Sequence, residues 1–272
     1  MNIDRPRLLE AFEMLYEPEK GGFYYPKLYW IPTELAQMSD ADILALRDRL
    51  KSEPGHLVHA SVEREVGNFL YWLARMVGAK RVLETGANQG YSTSMLACAV
   101  RDNSGTEVVS IDINKNAFIY KNTELNSFVT FLHGSSLEVP VHGPFDMMLL
   151  DSDHTYGTIM QEIVRFDSML REGGLMCFHD SLCFDGIGIA IRQMRETGRY
   201  EMVNLDSPGK SNPFRCPGVT VARKLRSATI SDLKYDDRLA EARVNITPDR
   251  AKSRTAIVDM DEFQAPYSTS TT

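Results

Sequence analysis

The chain has 272 residues, 43% apolar and 25% charged, the balance of an ordinary globular protein, which excludes disorder along its whole length. Its 30 lysines and arginines against 37 aspartates and glutamates give a formal net charge of −7, which argues against a nucleic-acid backbone or an anionic membrane as the partner. No apolar run reaches the roughly 18 residues of a membrane span, and the first residues lack the basic-then-apolar pattern of a secretory signal, so a cytoplasmic location is expected.

In chain order, residues 7–16 carry Leu8, Leu9, Phe12 and Leu15 at the spacing of an amphipathic helix. Gly21 and Gly22 break it, and an aromatic segment (23–30) follows, with Pro26 inside it and Pro32 beyond. Ser39 is placed as an N-cap, with Asp40 and Asp42 in the first turn, for a helix running to about Lys51. Residues 1–60 therefore read as an N-terminal helical cap whose aromatic rings form either a lid or a packing surface.

From 61 to 224, helices and strands alternate with short loops. Helices are predicted over 61–77, 90–100, 114–126 and 186–198, and one more carries Ile159, Ile163, Phe166 and Leu170 on one face and ends at Gly173 and Gly174. Strands are predicted over 81–85, 107–111, 128–132, 146–151, 175–179, 200–205 and 218–223. Uninterrupted apolar strands between helices imply a Rossmann-like α/β fold, a doubly wound and mostly parallel sheet of seven strands. No helix separates the last two strands, so an antiparallel hairpin is expected at one edge. Residues 225–272 read as an extended or mobile tail. The four cysteines, Cys98, Cys177, Cys183 and Cys216, form no C-x-x-C pair, so buried free thiols are expected.

A doubly wound sheet binds its ligand at the carboxyl ends of the strands. After the first strand comes a loop, Glu84-Thr-Gly-Ala-Asn-Gln-Gly90, in which Gly86 and Gly90 permit a tight turn and a close approach of backbone to ligand. Asp112 ends the second strand, where a carboxylate accepts both hydroxyls of a ribose. The glycines are spaced G-x-x-x-G, not G-x-G-x-x-G, and Glu84 would oppose a pyrophosphate. Both features favour a cationic, phosphate-free ligand such as S-adenosylmethionine.

This loop resembles the first motif of class I S-adenosylmethionine-dependent methyltransferases. Together with the approach Glu65-Val-Gly-Asn-Phe-Leu70 and the run from Arg81 to Ser92, it is most similar to small-molecule O-methyltransferases of the catechol and caffeoyl-CoA type. The resemblance covers about 61–224, read as the cofactor-binding domain. It implies that Gly86, Gly90 and Asp112 hold the cofactor with Glu84 nearby, and that Ser135 and Ser136 lie near the adenine.

At the far side of the sheet, Asp151 and Asp180 end two strands expected to be neighbours, about 4.8 Å apart, and could share a hard cation such as Mg²⁺. In cation-dependent members of the family an Asp after the fourth strand and an Asp-Asn pair after the fifth hold the metal, and a Lys assists deprotonation. By that resemblance Asp151, Asp180 and Ser181 are the metal ligands, with Ser181 in place of Asn. His154 replaces Lys as general base, which resembles the macrolide-sugar methyltransferases. The metal would lower the pKa of an acceptor hydroxyl, with Asp151 and His154 as the catalytic pair.

The expected activity is therefore O-methylation of a small hydroxylated acceptor (a natural product, sugar or phenol) using S-adenosylmethionine and a divalent cation. The expected assembly is a homo-oligomer, a dimer or higher. N-methylation, a cephalosporin-hydroxylase-like activity on the same fold, and a non-catalytic scaffold are the alternatives. Asp153 reads as a helix cap or a solvated group, and His179 as a hydrogen-bonded strand-end histidine.

Overall fold

The structure, a computed structural model, describes residues 5–17, 22–24, 32–58, 62–182, 184–205, 218–225 and 237–239. These fall into two compact units, one within 1–139 and the other from Pro140 onward. The rest of the expected aromatic lid after Tyr24, the loop 206–217 and nearly all of the tail lie outside the described residues.

The first unit opens with α1 (Arg7–Met14), β1 (Tyr16–Glu17), β2 (Gly22–Tyr24), α2 (Pro32–Gln37), α3 (Asp40–Ser52) and β3 (Leu57–Val58). The helical periodicity of α1 buries Leu8, Leu9 and Phe12. Ser39 caps α3 as expected, its side chain accepting from the Asp42 N–H at 3.2 Å. The three short strands pair antiparallel in the order β1-β2-β3. Phe23 of β2 is buried, with ring centroids 4.4 Å from Phe12 and 5.0 Å from Tyr16, so this part of the aromatic segment is core.

The unit continues with α4 (Arg64–Met76), β4 (Arg81–Thr85), α5 (Tyr91–Asp102), β5 (Glu107–Asp112) and β6 (Val129–His133). The strands are parallel in the order β6-β5-β4, with Leu83 opposite Val109 and Asp112 opposite His133. The helix expected over 114–126 does not form; the chain bends and turns until a short 3₁₀ helix at Glu124–Phe128, capped by Thr123. Competing hydrogen bonds explain the difference. The Asn114 N–H goes to the Asp112 carboxylate, and those of Phe118 and Ile119 go to the Gln89 carbonyl, so these donors never reach helical partners.

The second unit contains β7 (Phe145–Leu150), α6 (Tyr156–Asp167), β8 (Leu170–His179), α7 (Asp185–Glu196), β9 (Tyr200–Leu205) and β10 (Val219–Lys224). Its strands follow the order β7-β8-β10-β9, and with the three of the first unit they make a mostly parallel seven-stranded sheet. The hairpin expected at the edge is present, and β10 within it runs antiparallel to both β8 and β9. Gly173 and Gly174 do not end a helix; α6 stops at Asp167 and the glycines lie inside β8. There the register slips, Phe145 facing Leu170 but Met147 facing Leu175. Gly173 takes φ +73°, and a Cβ on Gly174 would lie 2.7 Å from the Leu170 side chain, so the bulge requires small residues.

Cys98 and Cys177 are buried free thiols whose pKa burial pushes up to about 12, which leaves them unreactive. No helix among the described residues is long and apolar enough to cross a membrane. Lys224 is buried, with its ammonium donating to the carbonyls of Asp167 and Leu170 and 3.5 Å from the Asp167 carboxylate, which also accepts from the Tyr200 hydroxyl.

Removing the cation leaves a buried carboxylate undercompensated. Lys224→Met is expected to cost about 3 kcal/mol of stability. Arg223→Met breaks only an exposed pair with Glu201 and is expected to cost less than about 1 kcal/mol. Urea denaturation followed by circular dichroism checks the contrast; equal costs would contradict it.

Candidate active site

The loop between β4 and α5 is shaped by backbone that few residues tolerate. Gly86 and Gly90 take φ of +85° and +89°, and Asn88 takes +44°. A Cβ on Gly90 would also lie 3.1 Å from the Tyr120 ring. The loop is pinned to the end of β5 at two points: the Gly86 N–H donates to the Ile111 carbonyl at 2.8 Å, and the Asn88 N–H to Asp112 Oδ2 at 2.7 Å. Asp112 Oδ1 accepts from the Asn114 N–H at 2.7 Å. Each carboxylate oxygen has a second lone pair, so two held oxygens at the mouth of the loop can still accept a pair of ribose hydroxyls.

The turn after β6 joins this group because the Gly134 N–H donates to the Asp112 carbonyl at 2.9 Å. Ser135 and Ser136 follow; the Ser135 hydroxyl accepts from the Leu137 N–H, and Ser136 is buried. Glu84 is turned inward. It is fully buried and accepts hydrogen bonds from Thr93 of α5 at 2.5 Å and Ser110 of β5 at 2.6 Å, tying strand, helix and neighbouring strand together beneath the loop. The loop from Glu84 to Gly90 has no basic side chain to meet a phosphate. Its glycines, its backbone amides and Asp112 fit a ribose-bearing cofactor without one, and S-adenosylmethionine meets that description.

The second unit gathers Asp151, His154 and Asp180 into one cluster, their ligand atoms within 4.8 Å of one another. His154 Nε2 lies 3.2 Å from Asp180 Oδ2 and 3.7 Å from Asp151 Oδ1. Phe184 stacks on the imidazole at 4.2 Å and 18°, fixing its plane. Behind Asp151, the buried His179 places Nδ1 3.1 Å from Oδ1. Asp180 holds a left-handed φ of +53° just past β8, a strained conformation that points to a constrained site. Burial alone would raise the Asp151 pKa, but the His179 charge and hydrogen bonds from both histidines hold it far below the carboxylate range. Burial alone would lower the His154 pKa, yet the adjacent Asp151 and Asp180 carboxylates outweigh it and raise it to about 9.

Two close carboxylates and an imidazole suit a divalent cation, with oxygen donors for Mg²⁺ and the added nitrogen for a metal such as Mn²⁺. Ser181 is fully buried, and its hydroxyl is hydrogen-bonded at 2.9 Å to Thr220, itself bonded to Asn204. The geometry therefore brings together the two acids, as oxygen donors, and the imidazole of His154 beside them. Asp153 accepts from the hydroxyls of Thr155 and Thr158 at the start of α6, which Thr155 caps. Phe184 and the orienting role of His179 had no local signal in the sequence, because each depends on a contact made across the fold.

A methyltransferase-domain family matches residues 83–181, a span containing the glycine loop, Asp112, and the Asp151, His154 and Asp180 cluster. A caffeoyl-CoA O-methyltransferase of Mesembryanthemum crystallinum is 24% identical over 187 residues, 63% of this chain and 71% of that protein. A catechol O-methyltransferase of Niastella koreensis is 29% identical, over 57% of this chain and 72% of that protein. Among solved structures, an O-methyltransferase from Bacillus cereus in complex with SAH has a TM-score of 0.51 and 21% identity, covering 68% of this chain and 89% of that one. One from Streptomyces achromogenes in complex with SAM has 0.52 and 22%, covering 65% and 86%. Residues 83–181 thus match a methyltransferase domain, the chain is similar over part of its length to small O-methyltransferases, and the solved structures share its fold.

Proposed function

We propose that the protein transfers the methyl group of S-adenosylmethionine to a hydroxyl of a small metabolite, such as a phenol, a sugar or another natural product, with help from a divalent cation. The observation that carries this reading is the Asp151–His154–Asp180 cluster, because cofactor binding alone would serve methylation of any atom. The names of the relatives, catechol and caffeoyl-CoA O-methyltransferases, support a hydroxylated acceptor.

In this account the first unit binds the cofactor. Asp112 receives the ribose hydroxyls, the glycine loop from Gly86 to Gly90 admits the ligand against its backbone, and Ser135 and Ser136 border the adenine. Glu84 acts from beneath by holding β4, α5 and β5 in register. Asp151 and Asp180 would hold the cation, which would supply Lewis-acid polarisation of the acceptor oxygen. His179 orients Asp151, as groups behind metal ligands commonly do. With no cation, His154 keeps its proton between the two acids at neutral pH. With a cation held by Asp151 and Asp180, His154 Nε2 would be neutral and able to take the hydroxyl proton. Phe184 keeps the ring in place for that transfer.

Three outcomes follow. Asp112→Ala weakens S-adenosylhomocysteine binding by more than about tenfold in calorimetry, since it removes hydrogen bonds to a charged group. Mn²⁺ binding by that variant stays at the wild-type level. Asp180→Asn abolishes Mn²⁺ binding while leaving S-adenosylhomocysteine affinity unchanged. His154→Gln loses turnover by about a hundredfold or more but keeps Mn²⁺ affinity. Loss of metal affinity in His154→Gln would make the imidazole a ligand, and full activity in EDTA would remove the cation from the account.

A further inference from the structure

Tyr91 is the first residue of α5 and follows Gly90 directly, at the point where the cofactor loop becomes helix. Its ring is buried between two elements. On one side lies Gly67 of α4, where even a Cβ would come within 2.7 Å of the ring. On the other lie Phe12 and Phe23 of the N-terminal cap, with ring centroids 6.0 and 5.3 Å away. The phenol reaches past them and donates to Glu13 Oε1 at 3.0 Å, and the other Glu13 oxygen is ion-paired with Arg5. Burial pushes the Tyr91 pKa far above its ordinary value, so the group is a neutral donor to a buried carboxylate.

The cap also reaches the loop by a second route. Phe12 meets Phe118 edge-on at 6.2 Å, and the Phe118 N–H donates at 3.0 Å to the carbonyl of Gln89. The cap is thus connected to the residue on each side of Gly90. Packing alone needs no charge here: a phenylalanine at 91 and an apolar residue at 13 would fill the space without desolvating a carboxylate. A buried, directional relay instead fixes one position of the helix start relative to the cap.

We propose that the Arg5–Glu13–Tyr91 relay makes the N-terminal cap a positioning element for the cofactor loop, so that cofactor binding and cap order stabilise each other. The inference rests on the reading of the Gly86–Gly90 loop as the S-adenosylmethionine site. Linkage makes the effect reciprocal: a ligand that prefers the held loop also favours the ordered cap.

The test uses S-adenosylhomocysteine as probe, calorimetry for affinity, and amide hydrogen exchange over residues 7–14. In the wild type the ligand slows exchange in α1, although α1 lies outside the loop. Tyr91→Phe keeps the ring and loses only the hydroxyl. It binds the ligand about threefold to tenfold more weakly, and its cap no longer gains protection. Glu13→Ala matches it, the double variant is no worse than either single one, and Glu13→Gln recovers most of the affinity because its amide oxygen still accepts. Unchanged affinity in both Tyr91→Phe and Glu13→Ala, or a wild-type cap indifferent to ligand, overturns the relay. A wild type that does not bind S-adenosylhomocysteine overturns the cofactor reading instead.

Discussion

A carboxylate leaves water only where donors meet it, and this protein is organised around the places where that requirement is satisfied. Glu84 is met by two hydroxyls beneath the glycine loop, Glu13 by Arg5 and Tyr91, and Asp167 by Lys224 and Tyr200. In these three the charge is answered within the chain, and the result is rigidity. Asp112 and the pair Asp151 and Asp180 differ: their donors are backbone amides or imidazoles, which hold the oxygens in place and leave them capacity to accept from a ligand. The same physics that fixes the fold in one set of positions prepares binding sites in the other.

This explains why the acids near the strand ends have unequal roles. Glu84 lies two residues before Gly86, yet its register opposite Ser110 turns it into the sheet. In the proposed reading it acts on the cofactor through the shape of the loop. Asp112, one residue past the paired segment of β4 and β5, has room to turn toward Asn88 and fold the loop over itself. In the second unit, Asp151 and Asp180 stand one residue beyond β7 and β8, and the left-handed backbone at Asp180 sets its carboxylate beside His154.

Much of this was legible in the sequence because it is local. Periodicity and apolar runs locate the strands, and the G-x-x-x-G loop with an acid at the end of the next strand marks the place proposed for the cofactor. The spacing of Asp151 and His154 marks the other. What was not legible depends on long-range partners. Amides of 114–119 are captured by Asp112 and Gln89, which replaces an expected helix by turns. Two glycines that look like a helix stop serve a bulge in β8. The Ser181 hydroxyl is engaged by Thr220, and Phe184 reaches His154, through contacts that no sequence interval announces.

The central claim is methyl transfer to oxygen. Its most direct test is incubation with S-adenosylmethionine carrying a ¹³C methyl group, Mn²⁺, and a panel of catechols, phenols and sugars, with the products read by mass spectrometry and carbon NMR. The account predicts one labelled methyl on an oxygen of the acceptor, formed with the cation and not in EDTA. Label found on nitrogen, or on no acceptor in the panel although the cofactor binds, would contradict it.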